Sequence, residues 1–212
     1  MQQMAQKYSK SFLLIFAVLV LIWSGISPKD TFTWYLEVAP SLVGLPLLLW
    51  FDKRYGVNMP LYVIACIHSA VLSVGGHYTY AEVPIGFWIQ DLFHFTRNHY
   101  DRLGHFFQGI TPALVAFEYF SRARIVTSQA WLRVLCVCVA LSFSALYEFI
   151  EWWTALLTGE GATAFLGTQG DVWDTQWDMF LAMCGAIVAA AGVTLSSRRT
   201  SREALSTQPP GL

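Results

Sequence analysis

The sequence predicts an all-α fold: a polytopic membrane protein built as a six-helix transmembrane bundle, with one short helix lying in the membrane interface. Three observations predict it. The chain is 55% hydrophobic and only 13% charged, with a mean hydropathy of +0.47, where a soluble domain carries about 25% charged residues. Its apolar residues gather into six runs, each near the roughly 20 residues that a helix needs to cross about 30 Å of hydrocarbon. A segment inside a bilayer must also satisfy its own backbone, and runs of this length do so as helices.

The first run, Phe12 to Ile26, is the shortest and follows Lys7 and Lys10. A cleaved signal peptide with Ser27 near the cut is the competing reading; the lack of a small-x-small site and the Trp23 anchor favour a retained helix. The second run spans Trp34 to Phe51 and the third Met59 to about Tyr78. After the third, Pro84 opens a segment in which Ile85, Trp88, Ile89 and Leu92 recur at i, i+3, i+4 and i+7, with Gln90, Asp91, His94 and Arg97 largely opposite. That is the pattern of an amphipathic helix in the interface, whose polar face meets headgroups or roofs a site. The fourth run covers Leu103 to Phe120, the fifth Leu132 to Leu157 and the sixth Met179 to Leu195. The expected organisation is one transmembrane domain over 1–195, with helices at about 12–26, 34–51, 59–78, 103–120, 132–157 and 179–195. Residues 196–212, with three Arg and two Pro, read as a disordered cytoplasmic tail.

Ten of the thirteen Lys and Arg fall on the segments that share a side with the N-terminus, and only Lys29, Arg97 and Arg102 fall opposite. The positive-inside rule then places both termini in the cytoplasm. Trp23, Trp34, Trp152, Trp153, Trp173 and Trp177 mark the outer ends of helices, and Trp50 and Trp131 the inner ends. Eleven of the fourteen acidic residues sort to the outer side. Carboxylates contribute little to orientation, so that bias calls for a local or functional cause. The net charge of −1 leaves no basic patch for phosphates, which argues against a nucleic-acid partner.

The candidate site assembles from four helix ends on the outer side. His77 ends the third helix, Asp101 and His105 begin the fourth, Glu148 and Glu151 end the fifth, and Asp171, Asp174 and Asp178 lead into the sixth. Asp101 and His105 stand at i and i+4, and Glu148 and Glu151 at i and i+3, so each pair shares a helical face. Mixed carboxylate and imidazole donors suit zinc, manganese or iron, and carboxylates alone magnesium or calcium; the donor set favours a divalent transition metal.

A purely structural reading stands beside it. Asp101 and Asp174 sit where carboxylates cap helix N-termini. Glu148 and Glu151 lie in the last turns of a helix, where the dipole disfavours negative charge, so Arg97, Arg102, His77, a proton or a metal must compensate them. His68 reads as a helix-packing hydrogen bonder, Cys136-Val137-Cys138 has the wrong spacing for a zinc or redox motif, and all four cysteines read as reduced. Gly185 with Ala189 marks close helix packing, and Glu118 with Arg122 an i,i+4 pair.

The segments Gly75-Gly76-His77-Tyr78-Thr79-Tyr80, Asp101-Arg102-Leu103-Gly104-His105-Phe106-Phe107-Gln108-Gly109, Tyr147-Glu148-Phe149-Ile150-Glu151-Trp152 and Gly167-Thr168-Gln169-Gly170-Asp171-Val172-Trp173-Asp174 together resemble the YjdF family of bacterial inner-membrane proteins. That resemblance covers nearly the whole chain and implies a polytopic cytoplasmic-membrane protein; it carries location rather than an activity. A fainter one is to VanZ-like membrane proteins, linked to glycopeptide tolerance. There a Glu-bearing helix is followed by two Asp three apart, an Asn four further on, and glycines in the next helix. Glu148 or Glu151 matches the Glu, Asp171 and Asp174 the Asp pair, and Gly185 a helix glycine, while Asp178 replaces the Asn and Leu181 stands where a Gly is usual.

The leading expectation is a metal-assisted hydrolase or transferase acting on a lipid-linked or envelope substrate. A metal held by some of His105, Asp101, Glu148, Asp174 and Asp178 activates water or polarises a phosphoryl or carbonyl oxygen, and Glu151 or His77 moves the proton. The alternatives are a small ion- or proton-coupled transporter in which Glu148 titrates, and a structural or accessory membrane protein. Membrane lipids are the expected surroundings in every case.

Overall fold

A computed structural model describes the backbone of residues 2–206, with side chains over 4–159 and 162–193. The chain forms α1 (Gln2–Ser24), α2 (Thr31–Tyr55), α3 (Met59–Tyr78), α4 (Pro84–Phe93), α5 (Tyr100–Arg122), α6 (Gln129–Thr158), the single turn α7 (Thr163–Leu166) and α8 (Asp174–Ser206). Every segment expected to span is helical.

The helices begin and end where local chemistry dictates. Asp30 caps α2 by accepting from the Thr33 amide at 2.6 Å, and Asn58 caps α3 by accepting from the Leu61 amide at 2.9 Å. Gly56 ends α2 at φ +68°, a left-handed conformation that costs glycine little. Lys10 of α1 meets Asp52 of α2 at 2.6 Å, and Asp52 also accepts from the Val57 amide at 2.8 Å. Arg122 pairs with Glu118 and donates to the carbonyls of Tyr55 and Gly56, each at 2.6 Å, so the expected i,i+4 pair also caps the end of α2.

Two expectations change. Five helices, α1, α2, α3, α6 and α8, are both long and apolar enough to cross a membrane, and α5 falls outside that set. At 23 residues α5 is long enough, about 34 Å, but it carries Asp101, Arg102, His105, Gln108 and Glu118. It tolerates them because α3, α6 and α8 pack around it and Asp101, His105, Gln108 and Glu118 line a cavity within the bundle. The second change is at the C-terminus. A disordered tail was expected from Ser196, yet α8 continues to Ser206. Extending a formed helix adds one hydrogen bond per residue fixed, so a polar continuation needs no new nucleus. The rest of the expected tail, 207–212, lies outside the described residues.

The bundle has a tight half and an open half. On the tight side α5 and α8 approach until a Cβ on Gly109 would lie 1.9 Å from the Ala182 carbonyl oxygen, and one on Gly185 2.1 Å from that of Phe106. Small residues continue the contact: Ala113, Ala116, Ala140, Ala186 and Ala189 are all buried with Leu132 and Cys136. The predicted packing role of Gly185 and Ala189 is thus a reciprocal glycine contact across two helices. On the other side α1 and α2 pack on α3, around Ala17, Leu45, Leu61, Tyr62 and Cys66. Joining the halves are α3 and α5, while α2 and α6 face each other across a cleft. All four cysteines are free.

The segment opened by Pro84 forms the short helix α4. Ile85, Trp88 and Leu92 are exposed, as are Phe87 and Phe93, while Ile89 is half-buried. Asn98 pins this corner: its side chain donates to the Val83 carbonyl at 3.0 Å and accepts from the Tyr100 amide at 3.0 Å, while its backbone exchanges two bonds with the Gln169 side chain, at 2.8 and 3.0 Å. Gly86 makes room for it, since a Cβ there would overlap the Asn98 amide.

Candidate metal centre

His105, one turn into α5, is the hub. Its Nε2 lies 3.5 Å from Asp101 Oδ1 and 4.0 Å from Asp178 Oδ2, and its Nδ1 lies 3.8 Å from Glu148 Oε1. Two sets of donor atoms have every member within 4.8 Å of the others: Asp101, His105 and Asp178, and His105, Glu148 and Glu151. Three helices supply them, because the i,i+4 pair on α5 and the i,i+3 pair on α6 turn toward the same axis that Asp178 faces from α8.

Burial gives the cluster its chemistry. His105 is 4% exposed, Glu148 7% and Asp178 2%. Four of their polar atoms, His105 Nδ1, both Glu148 oxygens and Asp178 Oδ1, have no hydrogen-bond partner. Buried carboxylates of this kind are costly unless a cation, a proton or donors satisfy them. Among the described residues no Lys or Arg stands within ion-pair distance of Asp101, Glu148, Glu151 or Asp178. One imidazole cannot neutralise four carboxylates, so the balance must come from protons or from a cation outside the chain.

Not every expected residue joins this centre. Asp174 is held by Arg97, Nη1 to Oδ1 at 2.6 Å, with both side chains buried. Asp171 takes Arg97 at 3.3 Å and Arg102 at 2.8 Å, and Arg97 also donates to the Gly167 carbonyl at 3.3 Å. The two arginines therefore serve the aspartates before α8 and at its start, and not the glutamates of α6. His77 is engaged elsewhere as well. Its Nδ1 is 3.0 Å from the Ser24 carbonyl and its ring lies against Trp23 at 4.4 Å, tying α3 to α1. The sequence placed His77 at the correct helix end, but the facing of the last turn of α3 directs it to α1.

Two residues that sequence reasoning passed over border the centre. Glu37, buried one turn and a half into α2, accepts from the Tyr147 hydroxyl at 3.3 Å, and the Tyr147 ring stands edge-on to His105 at 6.3 Å. A lone Glu inside an apolar run was the available signal. Tyr80, in the turn after α3, slots between two glycines. A Cβ on Gly75 would fall 2.5 Å from its ring and one on Gly104 2.8 Å. Burial first, and then the Glu37 carboxylate, raise the Tyr80 hydroxyl well above its ordinary range, so it stays a neutral donor. The glycines flanking His77 and His105 in the sequence thus admit Tyr80 between α3 and α5.

The centre opens into a cavity of about 970 Å³ between α2, α3, α5 and α6. Near His105 the wall is polar, with Glu37, Tyr80, Asp101, Tyr147 and Glu151. Next come Ser41, His68, Gln108 and Thr111, and of these His68 Nε2 and Thr111 Oγ1 have no partner. Beyond them it turns apolar along Leu45, Leu48, Leu61, Ala65 and Val115, and it ends at Glu118 and Arg122.

The family described as "Predicted membrane protein (DUF2238)" matches residues 9–199. The chain is also 52% identical over 169 residues to the inner membrane protein YjdF of Escherichia coli (strain K12), an alignment that takes in 80% of this chain and 81% of that protein. No solved structure matches it.

Proposed function

The chain belongs to the DUF2238 family of membrane proteins, and we propose that its buried His105 centre binds a divalent transition metal and works as a hydrolase or transferase on a membrane-borne substrate. One observation carries the reading. A histidine and four carboxylates from three helices form two groups at ligand spacing that share His105, with orphaned buried polar atoms and no cationic side chain beside them among the described residues. Asp101, His105 and Asp178 form the ligand set, with Glu148 on the other ring nitrogen. A metal there would act as a Lewis acid on a phosphoryl or carbonyl oxygen and lower the pKa of a bound water. Glu151, which groups with Glu148 beside His105, would take a proton from such a water and return it to the departing oxygen as the ester bond breaks. Asp174, committed to Arg97, holds the entry to α8 and leaves the ligand set.

The orientation belongs to the same proposal, with both termini in the cytoplasm and the centre below the periplasmic headgroups. A transporter of small ions would need polar groups through the membrane depth, whereas between Thr111 and the Glu118–Arg122 pair the cavity is lined by leucine, valine and alanine.

The test is metal analysis of the detergent-purified full chain. The native protein should carry stoichiometric zinc, manganese or iron, and His105→Ala and Glu148→Gln should lower affinity by about tenfold or more. Substoichiometric metal, unchanged across all three proteins, overturns the assignment.

A further inference from the structure

The cavity is the second feature that asks for an occupant. Its wall on α2 runs from Glu37 to Tyr55, eighteen residues that rise about 27 Å, against a hydrocarbon core of about 30 Å. It therefore passes through nearly the whole bilayer and crosses the midplane, where acyl tails of one leaflet end. Below its polar outer part the wall is apolar along Leu45, Leu48, Leu61, Ala65 and Val115 before it ends at the Glu118–Arg122 pair, so a head followed by a chain meets matching surroundings down to that inner rim. The lips between α2 and α6, Leu47, Phe51, Phe143, Leu146 and Ile150, are all exposed, so the cleft communicates sideways with lipid. Two prolines, Pro40 and Pro46, interrupt the hydrogen bonding of α2 along this wall. Gly44 borders the cavity with nothing within 4 Å of where its Cβ would stand.

From these we infer that the cavity seats a lipid with one long linear hydrocarbon chain, its polar head against the His105 centre and its chain running inward along α2 toward Arg122. This deepens the proposed function, on which it rests for the identity of the reacting end. The head has more to meet than the centre alone. His68, Gln108 and Thr111 line the cavity below the centre, with Gln108 one turn beyond His105 on α5. The head group that fits is accordingly larger than a bare ester, with hydrogen-bonding groups extending below the centre. Entry is lateral, from the bilayer, between α2 and α6.

Hexadecyl phosphate bearing a terminal diazirine is the probe, added to the full-length protein in nanodiscs, photolysed, and mapped by peptide mass spectrometry. Adducts should concentrate on Leu45, Leu48 and Phe51 of α2 and Val115 of α5. Unlabelled hexadecyl phosphate should compete, and inorganic phosphate should not. Gly44→Trp should fill the cleft and reduce those adducts by about tenfold, the loss expected if roughly 1.4 kcal/mol of binding goes, while adducts on the outward residues Phe12, Ile15 and Leu19 of α1 stay level. Val115→Trp blocks the opposite wall and should do the same if Gly44→Trp misfolds. Labelling spread evenly over all lipid-facing helices and insensitive to both plugs overturns the inference, as does a second polypeptide cross-linked in the cleft. Metal content separates the two proposals. Plugged variants that keep their metal but lose the chain support both, and native protein that takes up the chain without metal supports the cavity while removing the metal-dependent chemistry.

Discussion

His105 and Arg97 are both buried among carboxylates, and the difference between them divides the acidic cluster in two. Arg97 carries a fixed charge and directs Nη1 to both Asp174 and Asp171, with Nη2 on the Gly167 carbonyl, so the carboxylates of that half are paired with a cation. His105 offers at most one positive charge to Asp101, Glu148 and Asp178, so those of its half are not. Removing one partner of the satisfied pair strands a buried charge, at a cost of about 3–5 kcal/mol. Arg97→Ala should therefore lower the thermal stability of the detergent-solubilised protein sharply, and Arg97→Met with Asp174→Leu should recover much of the loss. Additive losses in the double variant would show that the pair is not coupled. Sequence spacing put all these acids on one side of the membrane. It could not say which would meet an arginine, because Arg97 lies 74 residues from Asp171 and 77 from Asp174, and only helix facing brings them together.

At the scale of the element, α5 explains why a polar helix belongs in this bundle. Its own composition keeps it below the apolarity of the other five long helices, yet it is the helix that all the functional side chains surround. Glycine sets how close its neighbour comes. Gly109→Ala would push a methyl group into the Ala182 carbonyl, and neither backbone can yield without separating α5 from α8. We expect a loss of about 1–3 kcal/mol, and because Asp178 is on the helix that must move, a weaker metal site as well. Gly192→Ala, also on α8 but with nothing within 4 Å of its Cβ position, should be neutral or slightly stabilising, since alanine is the better helix former by about 1 kcal/mol. Thermal melts of the two variants side by side check the contrast; equal losses would mean that helix proximity is not the cause. The small-residue spacing in α8 was legible in the sequence, and its counterpart Gly109 was not, because a single glycine in a helix does not name what it approaches.

For the whole molecule, the charge distribution leads to a prediction about sidedness. Alkaline phosphatase fused after Ser206 should be inactive and a green fluorescent protein at the same point should fluoresce, with the reverse for insertions at Gly159, just past the end of α6. Active phosphatase at the C-terminus would put the His105 centre on the cytoplasmic side and change the class of substrate it can reach. That centre and the cavity both lie where the tight half of the bundle, α5 with α6 and α8, meets the looser half, α1 with α2 and α3.

The amino-acid sequence alone determined that this is a helical membrane protein, which runs are helical, which acids lie at one end of the bundle, and that a short helix follows Pro84. Those properties follow from hydropathy, periodicity and charge counted along the chain, and each is local. Tertiary structure alone decided that Asp171 and Asp174 belong to the arginines, that His77 serves α1, that Glu37 and Tyr80 border the centre, and that a cleft separates α2 from α6. Each of those depends on how helices distant in the chain are rotated and how near they come, and both are set by packing between side chains that no single segment contains.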